Sequence, residues 1–174
     1  MEYFFEECKN ININENSVLN AKNCINCKYM FYGNDLKNVN FSFLDIRNAE
    51  SLQYCFSECK NIQIHQNSIL KLKNSINMDY TFYKTVLINV NFSFLDIGNA
   101  ESLQYCFSEC KNIQINQNSI LKLKNCINMD YTFYKTVLVN VNFSFLDIRN
   151  AESLQYCFSE CKNIQINQNS ILKL

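Results

Sequence analysis

The sequence predicts an α/β repeat solenoid, a coil of about seven turns in which each turn is one repeat of roughly 25–26 residues. Two observations favour this fold. An asparagine recurs at a nearly constant interval, and a turn-forming residue at a fixed period is typical of a repeat protein. Within each repeat, apolar residues are spaced first as on a helix and then as on a strand. The recurring asparagines are Asn23, Asn48, Asn74, Asn99, Asn125 and Asn150.

The whole chain, residues 1–174, is expected to form one solenoid domain. Its predicted units are 1–23 (partial), 24–48, 49–74, 75–99, 100–125, 126–150 and 151–174 (partial). Longer and shorter units alternate, because every second unit has one additional residue. The blocks 49–99 and 100–150 differ only at His65/Asn116, Ser75/Cys126, Ile88/Val139 and Gly98/Arg149. Such similarity indicates a recent tandem duplication of a two-repeat cassette.

Each predicted repeat begins with a short helix or 3-10 segment. The recurring asparagine is a strong helix N-cap, since its side-chain oxygen can accept a backbone N–H of the first turn. The apolar residues that follow it fall at positions i, i+3, i+4 and i+7, which is one face of a helix. In the unit 49–74 these residues are Leu52, Cys55, Phe56 and Cys59.

One or two short strands are expected after the helical segment. Ile62 and Ile64 alternate with polar residues, and a second brief alternation follows at Leu70 and Leu72. Stacked repeats would pair these strands about 4.8 Å apart. The tyrosine and phenylalanine columns, which include Tyr54 and Phe56, would then form aromatic ladders inside the coil.

Aligned charges support this stacking. Two columns change sign at every repeat, and opposite charges across paired strands are favourable. The first column is Glu58, Lys84, Glu109, Lys135 and Glu160, and the second is Asp45, Lys71, Asp96, Lys122, Asp147 and Lys173.

Composition excludes several classes of protein. The net charge is zero, so the basic footprint of a nucleic-acid binder is missing. No stretch reaches the roughly 18 apolar residues of a membrane span, so no membrane insertion is expected. The first residues lack the features of a signal peptide, which predicts a cytoplasmic protein if the chain is complete. Neither end resembles a capping repeat, however, and this indicates a piece of a longer array that could carry a signal elsewhere.

Residues 29–48, Tyr-Met-Phe-Tyr-Gly-Asn-Asp-Leu and onward, resemble the MFxGC-type repeat of BspA-like leucine-rich-repeat surface proteins of bacteria. Residues 105–115 are similar to the same element, with Cys110 at the cysteine of that motif. Asn34, Thr85 and Thr136 depart from the motif at this cysteine. The resemblance covers the whole chain. It implies a right-handed solenoid at the cell surface or secreted, used for adhesion or for binding host or partner proteins, with no enzymatic activity.

The candidate chemical residues favour structural roles, and no cofactor is expected. The ten cysteines include Cys-x-x-x-Cys pairs two repeats apart, too far from each other to build a four-ligand zinc site. Core packing is therefore favoured over oxidation or metal binding. His65 is the only histidine and is replaced by asparagine in its two equivalent positions, so no catalytic set is predicted. Asn-Phe-Ser sequons begin at Asn40, Asn91 and Asn142, and they matter only in a glycosylating host.

One column is a candidate for partner binding. Tyr32, Tyr83 and Tyr134 alternate with serines at equivalent positions, and a position that accepts both residue types is expected to be exposed. Tyrosine is favoured at interface hot spots.

The leading hypothesis is a non-catalytic protein-interaction or adhesion module of a surface-displayed leucine-rich-repeat protein. A structural array that self-associates end to end is the alternative from another class, and an intracellular interaction scaffold is a third interpretation.

Overall fold

The computed structural model describes residues 1–8, 11, 17–36, 44–60, 62–63, 70–72, 74, 77–88, 95–111, 113–114, 121–123, 125–139, 146–162 and 164. Its strands within these ranges are two residues long. They are β1 (Leu19–Asn20), β2 (Leu44–Asp45), β3 (Ile62–Gln63), β4 (Leu70–Lys71), β5 (Leu87–Ile88), β6 (Leu95–Asp96), β7 (Ile113–Gln114), β8 (Leu121–Lys122), β9 (Leu138–Val139) and β10 (Leu146–Asp147).

Every strand pair joins one repeat to the next in parallel. The pairs are β1 with β2, β3 with β5, β4 with β6, β7 with β9 and β8 with β10. Equivalent repeat positions face each other, so Leu70 pairs with Leu95 and Lys71 pairs with Asp96. Lys122 and Asp147 are also register partners. The predicted alignment of these column positions is thus confirmed in the backbone register for these two pairs.

A further column of isolated parallel bridges runs through six successive repeats. It alternates asparagine and serine in the order Asn26, Ser51, Asn77, Ser102, Asn128 and Ser153. The repeats therefore meet in one constant register along the described chain.

Residues 53–58 form consecutive turns instead of the predicted helical segment. The backbone amides alternate between two kinds of acceptor. Cys55 and Ser57 donate to the carbonyl three residues earlier, at 2.9 and 3.1 Å. Tyr54, Phe56 and Glu58 donate to carbonyls of the following repeat, at 3.2, 2.9 and 2.7 Å. Every second amide thus holds two repeats together, which a helix could not do because its amides bond within the helix.

Backbone dihedrals explain why the helical spacing was misleading. Tyr54 and Glu58 have φ of 57° and 56°. Every residue of a right-handed helix, by contrast, has a negative φ. The same two positions are left-handed in every described repeat. The predicted helix is therefore wrong. Its apolar residues are nevertheless buried as expected, because a spacing of i, i+3, i+4 and i+7 also suits a chain of consecutive turns.

A phenylalanine ladder fills the interior beneath these turns. Its rings stack on one another from repeat to repeat, with centroids 5.2–5.5 Å apart. The ladder consists of Phe5, Phe31, Phe56, Phe82, Phe107, Phe133 and Phe158, and its five inner members are at most 1% exposed. Full burial of such a side chain contributes about 1.5–3 kcal/mol, so the ladder is a main source of stability.

The recurring asparagines join repeats and do not cap helices. The Asn74 side-chain amide donates to the Asn48 side-chain oxygen at 3.4 Å, and Asn125 donates to Asn99 at 3.2 Å. Asn48 donates in turn to the carbonyl of Lys22 at 2.8 Å. The N-cap interpretation is therefore wrong, since no helix begins at these positions. Across the described residues, no helix has the length and apolarity that crossing a membrane requires.

Candidate functional site

A tyrosine ladder runs along the described repeats. One tyrosine per repeat occupies the second position of the run of turns, with φ of 55–57°. Its ring stacks on the tyrosine of the next repeat, with centroids 4.5–4.9 Å apart. The left-handed backbone costs roughly 1–2 kcal/mol per residue, and each stacked pair contributes about 0.5–1.5 kcal/mol beyond area burial. The ladder is Tyr3, Tyr29, Tyr54, Tyr80, Tyr105, Tyr131 and Tyr156.

The candidate binding residues Tyr32, Tyr83 and Tyr134 form a second row against this ladder. Each ring stands edge-on to the ladder tyrosine three positions earlier, with centroids 5.7, 5.5 and 5.4 Å apart. All ten tyrosines of the chain consequently belong to one network of ring contacts. We call this network the tyrosine face.

The tyrosine face lies at the surface. Tyr32, Tyr83 and Tyr134 are half-buried, as are the inner members of the ladder. The prediction that both aromatic columns are buried is therefore correct for the phenylalanine column and wrong for the tyrosine column. The phenol hydroxyl explains the difference, because it needs a hydrogen-bond partner when buried and finds one readily at the surface.

A row of charges borders the second row of tyrosines. The Tyr83 hydroxyl donates to the Glu109 carboxylate at 3.0 Å, and the Lys84 ammonium lies 4.9 Å from the Tyr83 ring centroid. The set recurs one cassette later, where the Tyr134 hydroxyl donates to Glu160 at 2.7 Å. Lys135 also lies 3.7 Å from Glu160. The predicted pairing of opposite charges in the first column is thereby confirmed for its last two members, Lys135 and Glu160.

The serines that alternate with these tyrosines are not exposed. Ser57 and Ser108 have no accessible surface, and their hydroxyls donate to the carbonyls of Tyr83 and Tyr134 at 3.3 and 3.2 Å. The inference that the whole column is exposed is therefore wrong at these serines. A short hydroxyl satisfies its hydrogen bond beside the backbone, whereas a tyrosine ring must extend outward.

Burial sets the protonation of the face. It is the main cause that raises the pKa of Tyr80 to about 12, and it also raises the pKa of Tyr83, where the Lys84 hydrogen bond works in the opposite direction. These phenols are neutral near pH 7, since an unperturbed tyrosine already has a pKa of about 10. The face therefore offers ring edges and neutral hydroxyls bordered by carboxylates and ammonium groups.

One interior column escaped the sequence reasoning. Each member donates a hydrogen bond to the carbonyl of the ladder phenylalanine one repeat earlier. Asn34 donates to Phe5, and Thr85 donates to Phe56, at 2.7 and 2.6 Å. The other donors at this position are Cys59, Cys110, Thr136 and Cys161. Thiol, hydroxyl and amide groups can all donate a hydrogen bond. The occurrence of Cys, Thr and Asn at one repeat position is therefore the sequence signal that indicates a shared buried donor.

The cysteines are packed in the interior. All are free thiols, and all but Cys8 and Cys161 are buried. Burial is the main cause that raises the pKa of Cys59 to about 12, which disfavours the reactive thiolate. Cys24 and Cys27 bring their sulfurs to 3.0 Å. Within the described ranges, no group of three or more His, Cys, Asp or Glu side chains could hold a metal ion.

Other residues singled out in the sequence lie outside the described residues. They are His65 and the sequon asparagines Asn40, Asn91 and Asn142.

Comparison with families of known proteins gives a match over most of the chain. A family model described as Mycoplasma protein of unknown function, DUF285, matches residues 1–120 and 50–171. No curated protein and no solved structure matches the chain. The two matched ranges overlap, as expected for a model that fits a repeated sequence at more than one offset. Because they cover nearly the whole chain, the protein belongs to the DUF285 family, which is related to the BspA-like repeat proteins.

Proposed function

We propose that this chain is a non-catalytic protein-interaction module, built as a right-handed leucine-rich-repeat-like solenoid and displayed at a cell surface. The observation that carries the proposal is the tyrosine face. Every tyrosine of the chain takes part in it, and its inner rings are half-buried along the described repeats. Tyrosine supplies large, amphipathic contact area at low entropic cost, which is why it is enriched at protein interfaces.

Preorganisation strengthens the case for binding. Rings stacked 4.5–4.9 Å apart are already held in place, so a partner does not have to order them. Association normally costs about 0.5–1.5 kcal/mol for each flexible side chain that it immobilises. A face with prearranged rings avoids part of that cost.

The solenoid element of the proposal is supported by the constant register. Equivalent residues pair in parallel from repeat to repeat, and stacked repeats that contact only their neighbours typically build extended binding surfaces. Right-handedness and surface display are supported by the resemblance to BspA-like repeats. Protease treatment of intact cells that express the full gene tests display, since a surface protein is cleaved without lysis.

The binding test uses the triple variant Tyr32→Ala/Tyr83→Ala/Tyr134→Ala on an array of purified bacterial and host surface proteins. We expect the wild type to retain at least one array protein and the variant to bind it at least tenfold more weakly. The matched control is Glu50→Ala/Glu101→Ala/Glu152→Ala, which changes three exposed residues at the same two-repeat spacing. Equal binding by a folded tyrosine variant, or equal loss in the control, counts against the proposal.

A further inference from the structure

Two of the three second-row tyrosines carry a cation supplied by their own chain. The Lys84 ammonium lies 4.9 Å from the Tyr83 ring centroid, and the Lys135 ammonium lies 4.8 Å from that of Tyr134. Both distances are within the range of a cation–π contact. In each case the lysine directly follows the tyrosine, at a left-handed position of the turn.

A carboxylate of the following repeat completes each set. Glu109 accepts a hydrogen bond from the Tyr83 hydroxyl, and Glu160 accepts one from the Tyr134 hydroxyl. Glu160 also lies 3.7 Å from the Lys135 ammonium. The repeated unit is thus one tyrosine ring, one ammonium above it and one glutamate.

The first copy has the same tyrosine and glutamate but no side chain for the cation. Gly33 follows Tyr32 at the position of Lys84 and Lys135, with the same left-handed backbone (φ 70°). A second carboxylate borders it, because a Cβ atom at Gly33 would lie 3.2 Å from Glu7 Cγ.

The electrostatic surroundings of the two kinds of copy differ accordingly. Burial is the main cause that raises the pKa of Tyr32, and the negative charges of Glu58 and Glu7 raise it further. Burial is again the main cause that raises the pKa of Tyr83, and Glu109 raises it too, but there the Lys84 ammonium opposes the rise. The surroundings of Tyr32 thus carry the carboxylates of the repeated unit, while glycine replaces the lysine that supplies its cation.

We propose that Tyr32, Glu7 and Glu58 form a binding site for the side-chain ammonium of a lysine on the partner protein. The partner's lysine would take the place over the Tyr32 ring that Lys84 and Lys135 take over their own tyrosines. This inference rests on the proposed function and specifies one recognition chemistry for the tyrosine face. A basic segment of a partner fits the site, because an ammonium there meets an aromatic ring and two carboxylates.

The test is an NMR titration of the full chain with labelled tyrosine rings. The probe is N-acetyl-lysine methylamide at millimolar concentration, because a single exposed contact of this kind is weak. The variant Tyr32→Phe assigns the Tyr32 signal. We expect saturable shifts at Tyr32 and none of that size with the neutral analogue N-acetyl-norleucine methylamide.

Variants that exchange the two kinds of copy sharpen the test. Gly33→Lys supplies the cation from within and is expected to weaken the Tyr32 response at least fivefold. Lys84→Gly is expected to create a response at Tyr83. Gly33→Gln is the matched control, since it carries the same backbone penalty without the charge, and it should keep the response. Lys84 at φ 53° shows that this fold accommodates lysine in that conformation.

The proposal is overturned if norleucine shifts Tyr32 as strongly as lysine, or if Gly33→Lys responds like the wild type. It is also overturned if free spermidine acts at lower concentration than a lysine-containing peptide, because the ligand would then be a polyamine. The protein-array experiment tests the proposed function independently of this site. A lysine response at Tyr32 with no effect of the tyrosine triple variant on partner binding would remove the proposed function and leave the site.

Discussion

The phenylalanine ladder and the tyrosine ladder run through the same repeats, two residues apart, and differ in almost everything else. Phe107 is fully buried, whereas Tyr105 is half-buried and has φ of 56°. Both stack on the same column in the neighbouring repeats, with ring centroids 5.4–5.5 Å apart for Phe107 and 4.5–4.7 Å apart for Tyr105. The comparison teaches that a periodic aromatic column does not by itself mark a core. Backbone conformation and the phenol hydroxyl decide which column turns inward.

The largest expected effect comes from truncating one ring in each ladder. Phe107→Ala should lower the free energy of unfolding by about 3–5 kcal/mol, because it leaves a cavity in a fully buried position. Tyr105→Ala should cost only about 1–3 kcal/mol, since it removes two stacking contacts and little buried area. Urea denaturation followed by circular dichroism measures both. The comparison breaks if the tyrosine variant is the less stable of the two.

The donors beneath the phenylalanine ladder give the next effect. Thr85→Val removes the hydroxyl that donates to the Phe56 carbonyl at 2.6 Å and should cost about 1–3 kcal/mol. Thr85→Cys is the matched variant, because Cys59 and Cys110 make the same bond at 3.0 and 2.9 Å in neighbouring repeats. It should cost less than about 1 kcal/mol. Equal losses in thermal unfolding would show that shape, not hydrogen bonding, selects the residues of this column.

Deleting repeats probes the two alternating charge columns. Removing 75–99 alone would bring Glu58 next to Glu109 and Lys71 next to Lys122, whereas removing 75–125 preserves the alternation. Like charges across paired strands cost roughly 0.2–1 kcal/mol each. We therefore expect the single-repeat deletion to melt at the lower temperature, even though it leaves the longer chain. A higher melting temperature for that deletion would contradict the role of the alternating columns.

Alkaline pH should act on the tyrosine ladder and leave the phenylalanine ladder untouched. The folded-state pKa of Tyr80 is raised to about 12, above the usual value of about 10, so its contribution to stability is complete below about pH 10. That contribution is lost as the pH rises toward about 12. In a pH titration, tyrosinate absorbance should therefore appear at higher pH in the folded protein than in the protein unfolded in urea. Tyr80→Phe should reduce the late-titrating amplitude, and an unchanged amplitude would contradict the assignment.

The sequence predicted the buried phenylalanines and the parallel alignment of equivalent positions. These follow from period and polarity, which a repeat makes visible several times over. It also identified Tyr32, Tyr83 and Tyr134 as a column, although it placed the neighbouring serines wrongly. The short helices and the asparagine caps were mistaken, because helical spacing and a chain of turns bury the same positions.

What the sequence determined by itself is the order of the columns, since each residue's polarity and its distance from the next copy can be read without coordinates. Only the tertiary structure decided which columns are buried and which lie at the surface. The left-handed residues Tyr54 and Glu58 donate their amides to the neighbouring repeat, a contact that the sequence does not display. Likewise, the proximity of Gly33 to Glu7 results from the packing of one repeat on the next and cannot be read from the sequence. Both features depend on contacts between repeats, which a single repeat read alone does not contain.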